Sequence, residues 1–472
     1  MKNLQLPGNP RYQPKSLQEI FGYDNLYRKA IEVEFAALQT LYEDKFIPPK
    51  DFLLLTPELR VQIIEEITTT MVDQVEREVT KHDIRALVQL IQSRLLEKLR
   101  RFVHVPLTSY DVIDTARVLQ FKDAYELSLK PALNSLMADF VKIILDNKDK
   151  VQIGRTHGQH ALPITVGFWL ATALSRLSEN VQRLERAKNN LYGKISGAVG
   201  AYNAQAGFGM ECFEYNVLDK LGLKPAKIST QILPPENLAD FLYSCLLISA
   251  TLGQFGRDCR HLMRSEIGEV FESFDAHQVG SSTMAHKRNP INFENLEGMW
   301  LRNKSEFGKV MDALISEHQR DLVGSCISRD FPIIIVNLQQ QLDTLNRKKD
   351  GISFLQRLRF DGTNLERNFA MNSDYILAEP IYLALQLYGY AGDAHELVNR
   401  RLMKGAKENN ISLFDQLKKE ADQDEDLLVV LKRIPKEVCL MLSDADRYTG
   451  LAEEKAVAIA YHVYDKISKD EF

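Results

Sequence analysis

Apolar residues recur along this chain at steps of three and four far more regularly than at steps of two. From Leu238 the series runs Phe241, Cys245, Ile248, Leu252, Phe255, Cys259 and Leu262. That is a heptad-like stripe about seven turns long, the pattern of one rod in a helical bundle. A second stripe runs Val166, Leu170, Leu174, Leu177, Val181 and Leu184. Its opposite face carries Arg176, Glu179, Arg183 and Arg186, as a solvated or subunit-facing flank would. β-branched alternation is scarce, so the expected fold is all-α with a bundle of unusually long helices.

Three breaks interrupt the helical pattern. Residues 193–209 (GKISGAVGAYNAQAGFG) are rich in glycine and alanine. They lack the Lys-Ser ending of a phosphate loop and follow no evident strand, so the pattern favours a connector over a nucleotide cradle. Pro234-Pro235 ends a short loop and can start the helix that follows. Residues 273–290 (SFDAHQVGSSTMAHKRNP) place small residues and two polar clusters between two long helices, as a mobile active-site loop does.

Composition narrows the function classes. A chain of 472 residues, 45% hydrophobic and 26% charged, has ample apolar content for two or three domains. A net charge of -5 argues against a nucleic-acid or membrane-surface partner, although a few arginines in one cleft could still receive an anionic small molecule. No unbroken apolar run approaches the roughly 18 residues of a membrane span. The first sixteen residues are polar and proline-broken, unlike a secretory signal. The five cysteines are scattered without a CxxC pair, which suits reduced thiols in a cytoplasmic protein, with Cys245 and Cys259 as core residues. Nothing has metal-ligand spacing, so neither a metal nor an organic cofactor is expected.

The chemistry-bearing strings are more specific than these totals. Residues 280–290 (GSSTMAHKRNP) put a hydroxyl, a lysine and an amide within a few residues of flexible chain. The string resembles the signature loop of the fumarase/aspartase superfamily, Gly-Ser-Ser-x-Met-Pro-x-Lys-x-Asn-Pro, with Ala285 where the family usually has proline. The resemblance implies that Ser281 is the general base and that Lys287 and Asn289 hold the substrate carboxylate. Gly154-Arg155-Thr156-His157-Gly158-Gln159-His160, expected at the entrance of the Val166 helix, is similar to a second superfamily region. By that match His157 is the general acid, Thr156 contacts substrate, and Glu294 pairs with the acid and orients it. Thr108-Ser109-Tyr110-Asp111 resembles the remaining region, a carboxylate site that implicates Thr108 and Ser109, with His104 just upstream. Lys81-His82-Asp83 resembles the family's Arg-His-Asp, whose histidine lies near the substrate phosphate and the acid histidine, which implicates His82 in catalysis; lysine in the first position keeps the charge without the fork.

Members of this superfamily remove a proton next to a carboxylate and expel a group from the neighbouring carbon, releasing fumarate. Charge grows on the carboxylate during the reaction, which is why a lysine and amide donors are needed there. Among them, the adenylosuccinate lyases carry phosphate ligands that amino-acid lyases do not need, and two segments here are similar to theirs. Arg11-Tyr12 matches an amino-terminal phosphate cap, and Arg320, Ser325 and Arg329 match their phosphate and ribose ligands. Ser229-Thr230-Gln231 also matches, with Gln231 as a substrate contact, although the residues after it (ILPPE) depart from the family pattern. Residues 394–398 (AHELV) and 448–452 (YTGLA) resemble that family's carboxy-terminal domain.

The resemblance implies a three-domain fumarase/aspartase-like fold: residues 1–115 as an amino-terminal helical domain, 116–366 as the long-helix bundle, and 367–472 as a carboxy-terminal helical domain. It further implies a cytoplasmic, cofactor-free homotetramer with a twenty-helix core, whose active sites are shared between subunits and take a succinylated purine nucleotide. Another fumarate-releasing lyase, such as argininosuccinate lyase, remains the alternative, and a non-catalytic crystallin role is a more distant one.

Overall fold

Long helices built on the two apolar stripes form the frame of the computed structural model, which describes residues 6, 12–273, 284 and 286–472. The helices that position the site are Arg28–Glu43 (α1), Asp83–Arg94 (α2), Ser109–Ala124 (α3), Lys130–Leu145 (α4), Val166–Asn189 (α5), Glu236–Leu262 (α6), Ile291–Asp312 (α7), Pro332–Asn346 (α8) and Ala452–Ser468 (α9). Strands Val151–Thr156 (β1) and Gln159–Thr165 (β2) pair as an antiparallel hairpin, and every other described strand is two residues long. The expected all-α class is met.

Both stripes are buried. Phe241, Cys245, Ile248, Leu252, Phe255 and Cys259 face the core from α6, and Leu170, Leu174, Leu177, Val181 and Leu184 face it from α5. Burial pushes both the Cys245 and Cys259 thiols well up, so they are inert core groups. The central rod α6 packs against α5, α7 and α8, while α9 returns from the end of the chain to lie on α4 and α5. By length and composition α6 could cross a membrane. Asp240, Ser244, Ser249 and Thr251 interrupt its apolar run. Most of its apolar length is buried in the bundle.

The rods run up and down, so the bundle has two functional ends. After α5, Asn190 and Tyr192 line the same cleft as Asn237 at the start of α6, Ala313 after α7 and Phe331 before α8. At the far end Arg347, just past α8, donates to Asn292 at the start of α7 (3.0 Å), and the chain leaving α6 meets the hairpin that precedes α5. With 24 residues in α5 and 27 in α6, the two ends are about 36–40 Å apart.

Two hydrophobic cores divide the described residues. The larger draws on α1 to α9, including Ala456, Ala460, Val463 and Phe472 from the carboxy-terminal end. The smaller is built from residues between Phe369 and Ala445, with Ile153 of the hairpin inserted into it. The hairpin therefore bridges the two.

Candidate active site

At the hairpin end, the string expected at a helix entrance instead forms β1, a tight turn and β2. Thr156 pairs with Gln159, and the two residues between them, His157 and Gly158, have φ of 54° and 76°. Two consecutive left-handed residues make the two-residue hairpin turn whose twist suits the strands. Glycine adopts that conformation freely, while histidine is held there by the ladder on either side. The imidazole of His157 is thus held out at the apex, exposed and without a side-chain partner among the described residues. The turn was legible in retrospect: aliphatic residues alternate through 151–153 and 162–164, with a His-Gly pair between them.

The root of the hairpin is fixed by a carboxylate that the sequence reading missed. Glu269, fully buried, accepts two hydrogen bonds from the Arg155 guanidinium (2.6 and 3.0 Å), one from Gln152 (2.8 Å) and one from Asn368 (2.8 Å). Bidentate geometry and full satisfaction make this a rigid anchor beside the turn. Further out, Asn372 donates to Nδ1 of His160 (3.0 Å), and burial, with the Arg155 charge nearby, holds that ring below the usual histidine range.

The same end carries the start of α7. Lys287 is exposed and Asn289 half-buried just before the helix, and Glu294 is exposed in its first turn. No hydrogen bond or ion pair joins Glu294 to His157 among the described residues. Buried Glu272 caps the helix, accepting from the Asn292 N–H (2.9 Å), the Phe293 N–H (3.2 Å) and the Asn292 amide (2.6 Å). A carboxylate there satisfies otherwise orphaned N–H groups at the positive end of the helix dipole, although burial pushes its carboxyl up. Ser281 and Arg11 lie outside the described residues.

At the opposite end, the first turn of α3 meets two loops. The Thr108 N–H donates to the buried Asp111 carboxylate (2.9 Å), and the Asp111 N–H returns to the Thr108 carbonyl (3.0 Å), the reciprocal arrangement of a helix cap. Ser109 follows, half-buried. The Arg320 guanidinium lies 3.2 Å above the centre of the Tyr110 ring, its Nε donates to the Asp321 carbonyl (2.9 Å), and its Nη1 is buried without a partner. The Gln231 N–H donates to the Gln319 carbonyl (3.3 Å), tying the Ser229–Gln231 loop to that arginine. Tyr110, Arg320 and Ser325 line a cleft of about 490 Å³. Arg329 is exposed one turn beyond.

Further predicted residues lie on the amino-terminal helices and the turns between them. His82 caps α2, its Nδ1 accepting from the Arg85 N–H (3.3 Å), which leaves Nε2 as the donor facing solvent. Asp83 accepts from the Ile84 N–H (2.7 Å). His104, at φ 68°, is clasped by fully buried Glu34, which accepts from both its backbone N–H (2.9 Å) and Nδ1 (2.6 Å). Tyr12 is exposed ahead of the helix Lys15–Phe21. Glu34 also escaped the sequence reading, yet it left a trace: a carboxylate on the apolar stripe Ile31, Leu38, Leu41.

Known proteins resemble this chain along most of its length. A family model described as a lyase matches residues 56–302. Adenylosuccinate lyase of Pyrococcus horikoshii is 34% identical over 85% of this chain and 87% of its own length. Its namesake in Archaeoglobus fulgidus is 33% identical over 95% and 96%, and that of Bacillus subtilis 33% over 79% and 83%. The chain belongs to the adenylosuccinate lyase family. Among solved structures, fumarate lyase from Mesorhizobium sp. BNC1 superposes with a TM-score of 0.79 at 21% identity over 95% of this chain and 98% of that one. The 3-carboxy-cis,cis-muconate lactonizing enzyme of Pseudomonas putida superposes with a TM-score of 0.77 at 23% identity, over 97% and 98%. This adenylosuccinate lyase family member therefore has the all-α fumarase/aspartase-like fold.

Proposed function

We propose that the chain eliminates fumarate from adenylosuccinate to give AMP, and does the same to the succinylated aminoimidazole carboxamide ribotide. Ser281 takes the proton next to the carboxylate, and the electron pair spreads into that carboxylate. Lys287 and Asn289, with Thr108 and Ser109 at the start of α3, stabilise the charge. The carbon–nitrogen bond then breaks as the double bond of fumarate forms. His157, oriented by Glu294, gives its proton to the departing nitrogen. His82, Asp83 and His104 border the substrate, Thr156 and Gln231 contact it, and Arg11, Tyr12, Arg320, Ser325 and Arg329 receive the 5′-phosphate and ribose. The reaction needs no metal or cofactor, and we place it in the cytoplasm.

Arg320 is the observation that carries this reading. A guanidinium held over the Tyr110 ring, with a buried Nη1 that has no partner, in a cleft of nucleotide size, is a preorganised receptor for an anion. An amino-acid lyase has no phosphate to place there. The half-sites are supplied from different chains in this proposal, because the His157 end and the Arg320 end of one protomer are about 36–40 Å apart. A homotetramer of antiparallel rods brings opposite ends of different copies together, with one region from each of three subunits at each site.

Fumarate release, followed by absorbance, from adenylosuccinate and from argininosuccinate in parallel tests the assignment. Turnover of the nucleotide alone is expected. Turnover of argininosuccinate alone would replace the proposed substrate, and Ser281→Ala should lose on the order of 10²–10⁴ of the rate.

A further inference from the structure

The connector after α5 takes no part in the chemistry above, yet it contains a fully buried lysine. Lys194 Nζ donates to Oδ1 of Asp111, and neither side chain is exposed. The same Oδ1 accepts from the Gly197 N–H (3.2 Å), while Oδ2 takes the Thr108 N–H (2.9 Å). One turn along α3, Thr115 Oγ1 accepts from the Lys194 N–H (3.2 Å) and donates to its carbonyl (2.9 Å). The connector then reaches the next loop: Ser196 Oγ lies 2.6 Å from Ser229 Oγ. Gly200, at φ 75°, presses on the Ser229 carbonyl so closely that a Cβ would lie 2.1 Å from its oxygen.

A buried ion pair is a poor device for stability alone, since apolar residues of similar volume often serve as well or better. What an apolar pair cannot do is hold two backbone N–H groups from separate segments at one point. Asp111 does this for Thr108 and Gly197, and a carboxylate placed so deep needs a cation against it to offset the cost of leaving water. The residues gathered by this node are those of the phosphate and carboxylate half of the proposed site. Ser109 and Tyr110, the shelf under Arg320, lie between Thr108 and Asp111, and Gln231 closes the loop that Ser196 and Gly200 support.

We propose that Lys194 is a positioning residue: by neutralising Asp111 it holds the first turn of α3 in register with the Ser229–Gln231 loop, and so places Ser109, Arg320 and Gln231 for substrate. The proposal rests on the fumarate-releasing function given above.

The test is the double variant Lys194→Met with Asp111→Asn, which removes both charges and leaves neither unpaired. Steady-state kinetics with adenylosuccinate, thermal melting and amide hydrogen exchange are measured on the whole protein. We expect a melting temperature close to that of the wild type. Exchange should be at least about tenfold faster in 108–111, 197–200 and 229–231 and unchanged elsewhere, and KM should rise on the order of tenfold or more with a smaller fall in kcat. An unchanged KM, with or without a lower melting temperature, overturns the positioning role. Should the double variant not fold, Thr115→Val removes only the hydroxyl that joins Lys194 to α3. It should raise KM severalfold, and a folded Thr115→Val protein with wild-type KM overturns the proposal equally. If the wild type itself releases no fumarate, the functional assignment fails alone. The exchange pattern then decides the positioning role, which is lost if the three segments exchange as in the wild type.

Discussion

His160 is the titrating residue at the seam between the hairpin and the smaller core. Its Nδ1 accepts from Asn372, a role open only to the neutral ring, and burial holds its titration below the usual histidine value of 6.5. A depressed histidine favours the fold while it is neutral. Its contribution is therefore complete above pH about 6.5 and is lost as pH falls through the lower folded value. The fall in melting temperature between about pH 8 and pH 5 should be smaller in His160→Gln than in the wild type. Equal slopes in the two proteins would remove His160 from the acid response. At this scale the sequence was partly legible. Candidates in contiguous motifs, such as Thr156-His157 and Thr108-Ser109, could be proposed from their neighbours. Glu34, Glu269 and Glu272 could not, because each acts on a residue 20 or more positions away.

Elements impose a different requirement, which is close approach. In α6 a Cβ at Gly256 would lie 2.7 Å from the Phe293 carbonyl oxygen and 2.8 Å from Leu296 Cβ, so the first turns of α7 fit only because that position is bare. Alanine would favour the isolated helix by about 1 kcal/mol. Overpacking against backbone costs about 1–3 kcal/mol, and that term should win. Gly256→Ala is expected to lower the denaturant midpoint with an unchanged m-value; a higher midpoint would show that α7 can shift at little cost. The hairpin depends on its anchor in the same way. Glu269→Gln leaves the Arg155 guanidinium, largely buried, without a full counter-charge, and a loss on the order of 3–5 kcal/mol is the usual scale. Denaturation should show that loss, with part of it recovered when Arg155→Met is added. Equal stability of the single variant and the wild type would mean that the anchor is redundant.

The whole molecule raises the question of where a complete site can form. Within one protomer His157, Lys287 and Glu294 lie at one end of the rods, and Ser109, Gln231 and Arg320 at the other. His157→Ala and Arg320→Ala proteins, each inactive alone, should therefore regain activity when denatured together and refolded. A site taking His157 from one chain and Arg320 from another has each intact half of the time, so about a quarter of the wild-type rate is expected from equal mixing. Activity that stays at the level of the single variants, despite hybrid oligomers confirmed by mass, would place both residues in the same chain's contribution. Light scattering on the wild type checks the tetramer directly.

Helical class, the two longest rods and the candidate strings of the proposed site were read from the sequence alone. Periodicity is a local property that burial of one face enforces, and the motifs are short and contiguous. The tertiary structure decided between hairpin and helix entrance for the His157 segment, where the sequence offered only a short alternation around a His-Gly pair, because the turn depends on two left-handed residues braced by strands that dock between two cores. It also decided which acids act as anchors and which end of the bundle each group occupies. Those outcomes depend on how the rods run past one another, and a pattern read along one strand of sequence carries no information about the distance between its ends once folded.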